Sequence, residues 1–337
     1  MNVCYHCIAD RELSAFIESN GISGRCDVCL EDKPATINLE ELMSFFQELL
    51  ENFEPASLGE DIQSLIGESW NLFASREAGE VIMEKVFASL ESSKFNQFDK
   101  VDFTEEIRLN ISYWDKLKED IKWKKRFFPD LNTIEDLGWD GFFNTQYELG
   151  RDTTLYRARV HHESGMTTYA ADEMMCPPAA ASKGGRANPL GIPFLYLSDN
   201  PLTVLYEVRS SFLDEISVGE FRLKEEYDPV KIVDFTEQSS LFSPSQINQV
   251  IKATLLRKKI SMDLSKPMRR YDSEIEYIPT QFICEYVNVF TGARGIRFAS
   301  SLHPSGNNVV IFDQALMECT KVTSRKINKL DLDSEPL

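Results

Sequence analysis

No stretch of the sequence is long and apolar enough to cross a membrane, because a spanning helix needs roughly 18 consecutive apolar residues. The first residues also lack a basic segment followed by an apolar one, which is the pattern of a secretory signal peptide. Apolar residues make up 42% of the chain, an ordinary share for a protein with a folded core. We therefore expect a cytoplasmic protein with no membrane partner.

Positive charge is scarce in this chain. It carries 36 Lys and Arg against 54 Asp and Glu, which gives a formal net charge of −18. Nucleic-acid binding draws most of its affinity from Lys and Arg that neutralise phosphates, so we expect no nucleic-acid partner. A few arginines can nevertheless hold a small phosphate-bearing ligand through paired hydrogen bonds.

The cysteines are too unevenly placed for a disulfide framework, since four of the seven lie within the first 29 residues. They form two Cys-x-x-Cys pairs, Cys4 with Cys7 and Cys26 with Cys29, separated by eighteen residues. Such pairs place four thiolates at the corners of a tetrahedron around Zn²⁺. We therefore predict a zinc ribbon over 1–38, the alternative being four ordinary thiols. Four sulfur ligands leave no position open for water, so the predicted zinc is structural.

Residues 39–150 show helical periodicity. Asn38 is the expected N-cap of the first helix, with Glu41 three residues later and apolar residues recurring on one face. Further helices are predicted around Trp70 to Leu90 and Glu105 to Phe127. We expect four aromatic residues in the core of this helical domain: Trp70, Phe87, Trp114 and Trp123.

The pattern changes near residue 151, where short β-rich runs alternate with helical stretches. This pattern is typical of an α+β domain, which we place at 151–325 and expect to be followed by an acidic tail over 326–337. The predicted strands are Leu155 to Val160, Phe194 to Leu197, Val218 to Leu223, Lys231 to Phe235, Gly295 to Phe298 and Val309 to Phe312. The predicted helices lie near Pro201 to Phe212, Pro244 to Lys259 and Ile275 to Asn288.

Three arginines of this domain occupy unusual places. Arg157 and Arg159 lie in an apolar strand and, as alternate residues, face the same side. A charged residue there must be paired or must reach a ligand, so a structural salt bridge is the alternative to ligand binding. Gly184-Gly-Arg186 forms a Gly-rich loop whose amides and guanidinium can grip a phosphate, the alternative being a plain surface turn.

The remaining candidate site residues follow two other strands. Tyr196 and Ser198 belong to Leu-Tyr-Leu-Ser, after which a helix begins and carries Glu207 among apolar neighbours. A carboxylate in such surroundings commonly has a partner or a function. Ser300 ends the strand Gly-Ile-Arg-Phe-Ala. No His–Asp pair is placed to activate Ser300, so we do not expect it to be a covalent nucleophile.

Taken in order, these segments resemble the RES family, which is named for its Arg, Glu and Ser. The resemblance runs over Leu155 to about Phe312. It rests on the strand with Tyr-Arg157, the Gly-Gly-Arg186-x-Asn-Pro loop, the Leu-Tyr196-Leu-Ser strand followed by Glu207, and the Gly-Ile-x-Phe-x-Ser300 strand. The interval between Glu207 and Ser300 is long for this family and indicates an insertion around 242–270 that reshapes the site entrance.

The resemblance implies an ADP-ribosyltransferase-like fold and an enzyme that cleaves the nicotinamide–ribose bond of NAD⁺. It implies catalytic roles for Glu207, Arg157, Tyr196 and Ser300, and substrate binding by Arg186, Arg159 and Ser198. In the mechanism that the resemblance implies, Arg157 and Arg186 neutralise the pyrophosphate, and Tyr196 stacks on the nicotinamide or its ribose. The carboxylate stabilises the positive charge that develops at the ribose C1′.

The N-terminal part resembles the zinc-ribbon and HEPN-like helical region attached to some RES proteins. HEPN ribonucleases carry an Arg and a His a few residues apart on a helix, but the only histidine in this half is His6, inside the first cysteine pair. We therefore expect a non-catalytic helical domain that serves dimerisation or sensing.

On this resemblance we expect an NAD⁺-degrading toxin or defence effector, either a glycohydrolase or a phosphorylase. Protein ADP-ribosylation from NAD⁺ is the first alternative, and a non-catalytic nucleotide-binding sensor is the second. The expected partners are NAD⁺, an antitoxin or another regulatory protein, and a second copy of the chain in a homo-oligomer.

Overall fold

The computed structural model describes residues 1–90, 92–143, 147–243, 246–267 and 274–329. The chain forms two compact units, Met1–Asp115 with Gln238–Leu256 and Lys116–Glu237 with Arg257–Leu337. The predicted domain boundaries near 38, 150 and 325 remain predictions. Residues 330–337 of the predicted acidic tail lie outside the described part of the chain.

The first unit combines two small sheets with helices. Strands β1 (Asn2–Cys4), β2 (Ile22–Ser23) and β3 (Ala35–Asn38) form an antiparallel sheet with β3 in the middle. Strands β4 (Phe53–Glu60) and β5 (Val101–Phe103) form an antiparallel pair. The helices are α1 (Arg11–Asn20), α2 (Met43–Leu50), α3 (Ile62–Trp70), α4 (Arg76–Ser89) and the first part of α5 (Glu105–Trp123).

A buried carboxylate ties the second segment of this unit to the first. Asp10 caps α1 by accepting a hydrogen bond from the Leu13 amide at 3.0 Å. The same side chain accepts from the Ser240 hydroxyl at 2.6 Å and from the Leu241 amide at 2.8 Å. Because Asp10 is 4% exposed, these hydrogen bonds compensate the cost of burying its charge. They explain why residues more than 200 positions later pack with the N-terminus.

The predicted cap at Asn38 is confirmed, since its side chain accepts from the Glu40 amide at 3.0 Å and a 3₁₀ turn over Leu39–Leu42 leads into α2. The pair β4–β5, however, lies in a region predicted to be wholly helical. β4 contains Pro55 and Gly59, and half of its residues are exposed with one fully buried, so its sequence lacks the apolar alternation of a half-buried strand.

Three of the four predicted core aromatics are wholly or partly buried. Trp70 and Trp114 are buried, and Phe87 packs against the core at partial burial. The prediction for Trp123 is wrong, because its side chain is 61% exposed. The buried face of α5 runs through Trp114, Leu117 and Ile121 at helical spacing. Trp123 lies nine positions after Trp114, which is about half a turn away from that face.

The second unit is built on a mixed seven-stranded sheet in the order β11-β12-β13-β8-β7-β9-β14. All neighbours are antiparallel except β11 and β12. The strands are β7 (Leu155–Val160), β8 (Leu195–Ser198), β9 (Glu215–Leu223), β11 (Val233–Asp234), β12 (Gly295–Ala299), β13 (Asn307–Ile311) and β14 (Met317–Lys326). The short strands β6 (Glu148–Leu149) and β10 (Val230–Lys231) pair with each other. The helices are the end of α5, α6 (Leu131–Asp136), α7 (Trp139–Phe142), α8 (Thr203–Glu207), the last part of α9 (Ile247–Ser265) and α10 (Ile278–Phe290).

The α+β class predicted for this part of the chain is confirmed, and so is the strand Leu155–Val160 over its full length. The longest strand, β14, was missed. It is an edge strand whose side chains are mostly polar and exposed, so it carries no apolar pattern. Its place is fixed instead by its pairing with β9, which begins at Met317 opposite Leu223.

The longest described helices, α5 and α9, have 19 residues each. Neither these nor any other helix in the described ranges combines the length and the apolar character that crossing a bilayer requires.

Candidate active site

A cavity opens where the sheet of the second unit separates between β7 and β8. These strands share one register pair, Tyr156 with Ser198, whereas β7 pairs with β9 along its whole length. The residues on the two sides of the separation line a cavity of about 690 Å³: Arg157 and Ala158 from β7, Tyr196 and Leu197 from β8. This volume is within the range of small-molecule sites.

Glu207 lies at the wall of this cavity, at the end of α8. Its Oε1 accepts hydrogen bonds from Ser300 Oγ at 2.7 Å and from Asn308 Nδ2 at 2.8 Å. The apolar neighbours expected from the sequence are present, because Val204 and Val208 line the same cavity. Within the described residues Oε2 accepts no hydrogen bond, so this oxygen is open to a ligand.

Ser300 donates a hydrogen bond to Glu207 and does not itself line the cavity. Its side chain is buried, and its Oγ accepts hydrogen bonds from the amides of Leu302 and His303, each at 3.2 Å. Since the hydroxyl donates its proton to Glu207, its hydrogen-bonding capacity is used within the protein. The neighbouring Ser301, one residue further along the turn, does reach the cavity.

The turn that carries these amides is fixed onto α8. The Thr203 hydroxyl lies 2.8 Å from His303 Nδ1, and the Tyr206 ring stacks on the His303 ring with centroids 5.2 Å apart. At Gly306 an added Cβ would lie 1.8 Å from Thr203 Oγ1, so only glycine fits this close approach. The turn and the helix that ends at Glu207 are therefore held as one piece.

Tyr196 anchors the Gly-rich loop. Its hydroxyl donates to Asn188 Oδ1 at 2.7 Å and accepts from the Ala187 amide at 3.0 Å. Burial raises the pKa of Tyr196, which keeps the phenol protonated and able to donate. An added Cβ at Gly185 would lie 2.7 Å from the phenol oxygen, so the loop needs glycine there. The ring of Tyr196 still lines the cavity.

Two arginines of the cavity are desolvated, and within the described residues neither forms a salt bridge with a carboxylate. Arg157 Nη1 lies 3.9 Å from Cys176 Sγ, and burial lowers the pKa of the arginine. Arg186 Nη1 donates to the Asp263 carbonyl at 3.2 Å, and burial lowers its pKa as well. A desolvated cation without a carboxylate partner is strongly stabilised by a bound anion.

Two of the predicted substrate-binding residues do not line the cavity. Arg159 donates to the Glu173 carbonyl and lies over the Tyr169 ring at 5.3 Å. Ser198 is fully buried, and its hydroxyl donates to the Asn307 carbonyl at 2.6 Å. Ser198 therefore fixes the pairing of β8 with the start of β13.

Four residues that the sequence did not single out also line the cavity: Arg209, Glu274, Tyr277 and Asn308. Asn308 stands in the Gly-Asn-Asn segment at the start of β13, and its polar side chain in a strand was a signal that could have identified it. Glu274 and Tyr277 follow the predicted insertion at 242–270, and α9 also contributes Leu264 and Ser265 to the wall.

Comparison with protein families identifies the family to which this part of the chain belongs. Residues 154–333, which are 180 of the 337, match the RES domain family. The chain belongs to the RES domain family. No curated protein matches it. Among solved structures, the crystal structure of the M. tuberculosis MbcT–MbcA toxin–antitoxin complex resembles it at 14% sequence identity and a TM-score of 0.31, over 56% of this chain and 92% of that chain.

Ahead of the RES domain, the first unit brings the four predicted cysteines together. Their sulfur atoms all lie within 4.8 Å of one another, with Cys4 3.7 Å from Cys7 and 3.6 Å from Cys29, and Cys7 3.8 Å from Cys26. Sulfurs at the corners of a tetrahedron around Zn²⁺, each about 2.3 Å from the ion, are about 3.8 Å apart. The donor set and its spacing therefore fit a structural zinc ion.

We expect about one zinc ion per chain. Cys26→Ser removes one of the four thiolates and should release the metal, whereas Cys319→Ser, outside the cluster, should retain it. Elemental analysis of the purified proteins makes the measurement. A folded wild-type protein prepared without chelator that contains no metal would show that the four thiols are not a zinc site.

Proposed function

We propose that the RES domain degrades NAD⁺ by cleaving the bond between nicotinamide and ribose. Membership of the RES family supports the substrate class, because the resemblance to that family implies this reaction. The observation that carries the proposal is one cavity that combines two desolvated arginines, Arg157 and Arg186, with the fixed carboxylate of Glu207. NAD⁺ presents the matching groups, an anionic pyrophosphate beside a ribose that becomes cationic.

The pyrophosphate supplies the anion for the arginines. Arg157 and Arg186 each have guanidinium protons available for two parallel hydrogen bonds to phosphate oxygens. Because both are already desolvated, binding costs little further loss of hydration, and the phosphate charge compensates the unfavourable burial. This contact places the attached ribose near Glu207.

Glu207 stabilises the transition state in which the nicotinamide–ribose bond breaks. When the glycosidic bond breaks, its electron pair leaves with nicotinamide, which departs as a neutral molecule, and C1′ becomes oxocarbenium-like. Ser300 and Asn308 hold Oε1 of Glu207, so Oε2 points a fixed negative charge at the ribose. A charge positioned before the reaction stabilises the transition state without a cost of reorganisation.

The acceptor then determines the product. Water attacking C1′ gives ADP-ribose and a proton, which makes the protein a glycohydrolase. Inorganic phosphate gives ADP-ribose 1″-phosphate, and a protein side chain gives an ADP-ribosylated target. We propose NAD⁺ degradation by water or phosphate, with protein ADP-ribosylation as the alternative. The same family resemblance leads us to propose a toxin or defence effector restrained by an antitoxin or another regulatory protein.

We expect purified protein to release nicotinamide from NAD⁺ and Glu207→Gln to lower kcat by about 1,000-fold or more, because the variant loses the charge that stabilises the transition state. Glu226→Gln changes an exposed carboxylate that does not line the cavity and should keep full activity. Chromatography of reactions with and without phosphate measures nicotinamide and identifies the product. In cells, wild-type protein should lower NAD⁺ and Glu207→Gln should not.

Two results would contradict this proposal. Wild-type protein that releases no nicotinamide with water or phosphate as acceptor would rule out NAD⁺ degradation and leave protein ADP-ribosylation or a nucleotide sensor. Tight NAD⁺ binding without turnover, in the presence of protein acceptors as well, would favour the sensor. Equal activity of Glu207→Gln and wild type would show that the carboxylate does not take part.

The two donors to Glu207 Oε1 should each contribute to the rate. Ser300→Ala or Asn308→Ala removes one hydrogen bond to a charged group, and we expect kcat to fall roughly 10- to 100-fold while KM changes by less than about threefold. Ser324→Ala, an exposed hydroxyl of β14 that does not line the cavity, is the control. The double variant should lose less than the product of the two single losses, because both act on one carboxylate. Steady-state kinetics with unchanged kcat in both single variants would refute the role of this hydrogen-bond pair.

A further inference from the structure

The cavity contains a second carboxylate that the proposed reaction does not use. Among the described lining residues, Glu207 and Glu274 are the two acidic side chains. Glu274 begins the 3₁₀ helix Glu274–Tyr277, and its side chain is exposed. The neighbouring acid on this helix, Glu276, forms an ion pair with Lys122 at 3.0 Å. Glu274 has no such pair among the described residues, so its charge is available to the cavity.

Arg186 connects the two acidic positions. Its guanidinium lies over the Tyr277 ring at 5.6 Å, and Tyr277 ends the same short helix that Glu274 begins. The charge of Glu207 also acts on Arg186 and favours its protonated form. Arg186 is therefore packed on the helix that carries Glu274 and is also under the electrostatic influence of Glu207.

The cavity thus combines two carboxylates with a cation that is close to the helix of one and influenced by the charge of the other, and NAD⁺ offers the complementary groups, two riboses joined by a pyrophosphate. Resting on the proposed function, which assigns the nicotinamide ribose to Glu207 and the pyrophosphate to Arg186, we propose that Glu274 accepts a hydrogen bond from the 2′-hydroxyl of the adenosine ribose and thereby selects NAD⁺ over NADP⁺.

The two dinucleotides differ at the 2′ position of the adenosine ribose, where Glu274 would bind. A carboxylate is a good acceptor for a ribose hydroxyl, and acidic residues play this part in other NAD⁺ sites. NADP⁺ carries a phosphate at the same oxygen, which has no proton to donate and repels the carboxylate. Placing like charges together costs enough to reduce the efficiency of NADP⁺ cleavage by at least about tenfold.

The test compares kcat/KM for NAD⁺ and NADP⁺ in four proteins. Wild type should prefer NAD⁺ by at least about tenfold. Glu274→Gln removes the repulsion and should bring the two values within about threefold of each other, mainly by raising the value for NADP⁺. Glu276→Gln, on the same helix but paired with Lys122, should keep the wild-type preference. Glu274→Lys should favour NADP⁺.

A binding measurement keeps this test independent of turnover. Calorimetry with AMP and with adenosine 2′,5′-bisphosphate compares the same pair of ribose groups in wild type and in Glu274→Gln. Wild type should bind AMP more tightly than the bisphosphate, and the variant should lose this difference. A protein that discriminates the two nucleotides but turns over neither dinucleotide would overturn the proposed reaction and support the role of Glu274. A wild-type preference that Glu274→Gln leaves unchanged, or that Glu276→Gln abolishes equally, would overturn the role of Glu274.

Discussion

The separation of β7 from β8 is the constraint on which the candidate site depends. A continuous sheet would satisfy the backbone of both strands and leave no space between them. With one register pair, Tyr156 with Ser198, the strands part beside Arg157 and Tyr196 and create a cavity in the middle of the sheet. β9 holds the other side of β7 along its whole length, so the opening does not loosen the strand. The cavity therefore lies beside a strand that is fully paired on its other edge.

Around this opening the polar groups are arranged in two ways. Glu207, Ser300 and Asn308 form a small network in which one carboxylate oxygen is fixed and the other accepts no hydrogen bond from a described residue. Arg157 and Arg186, by contrast, are desolvated with no carboxylate salt bridge among the described residues. Fully paired groups serve to position, and incompletely paired ones provide binding energy for a ligand of opposite charge. This contrast distinguishes the cavity from an ordinary internal salt-bridge network.

The sequence predicted the local features of the RES domain well. Alternating residues around Arg157 defined β7 over its exact length, and the glycines at 184 and 185 marked a loop that approaches Tyr196 closely. It could not predict the contact between Glu207 and Ser300, which are 93 positions apart. They meet because β13 pairs with both β8, which leads into α8, and β12, which leads to Ser300. Strand β14 was missed for a similar reason, since an exposed edge strand is specified by its neighbour and not by its own apolar pattern.

In the first unit, the spacing of the cysteines predicted the structure better than the local hydrophobic pattern did. The cysteine spacing predicted a cluster, and the structure brings the four sulfurs to distances that fit one metal ion. The helical periodicity around it was less informative, because it gave no sign of the pair β4–β5 and placed Trp123 in the core. Spacing between chemically specific residues therefore carried more information here than hydrophobic pattern did.

We propose that the opening between β7 and β8 holds NAD⁺ with its nicotinamide ribose at Glu207. A crystal structure of the Glu207→Gln protein soaked with NAD⁺ tests it most directly, because the slowed reaction preserves the bound dinucleotide. We expect a ribose hydroxyl or C1′ beside residue 207 and pyrophosphate oxygens within hydrogen-bond distance of Arg157 or Arg186. Dinucleotide bound elsewhere, or bound here with its phosphates away from both arginines, would contradict it.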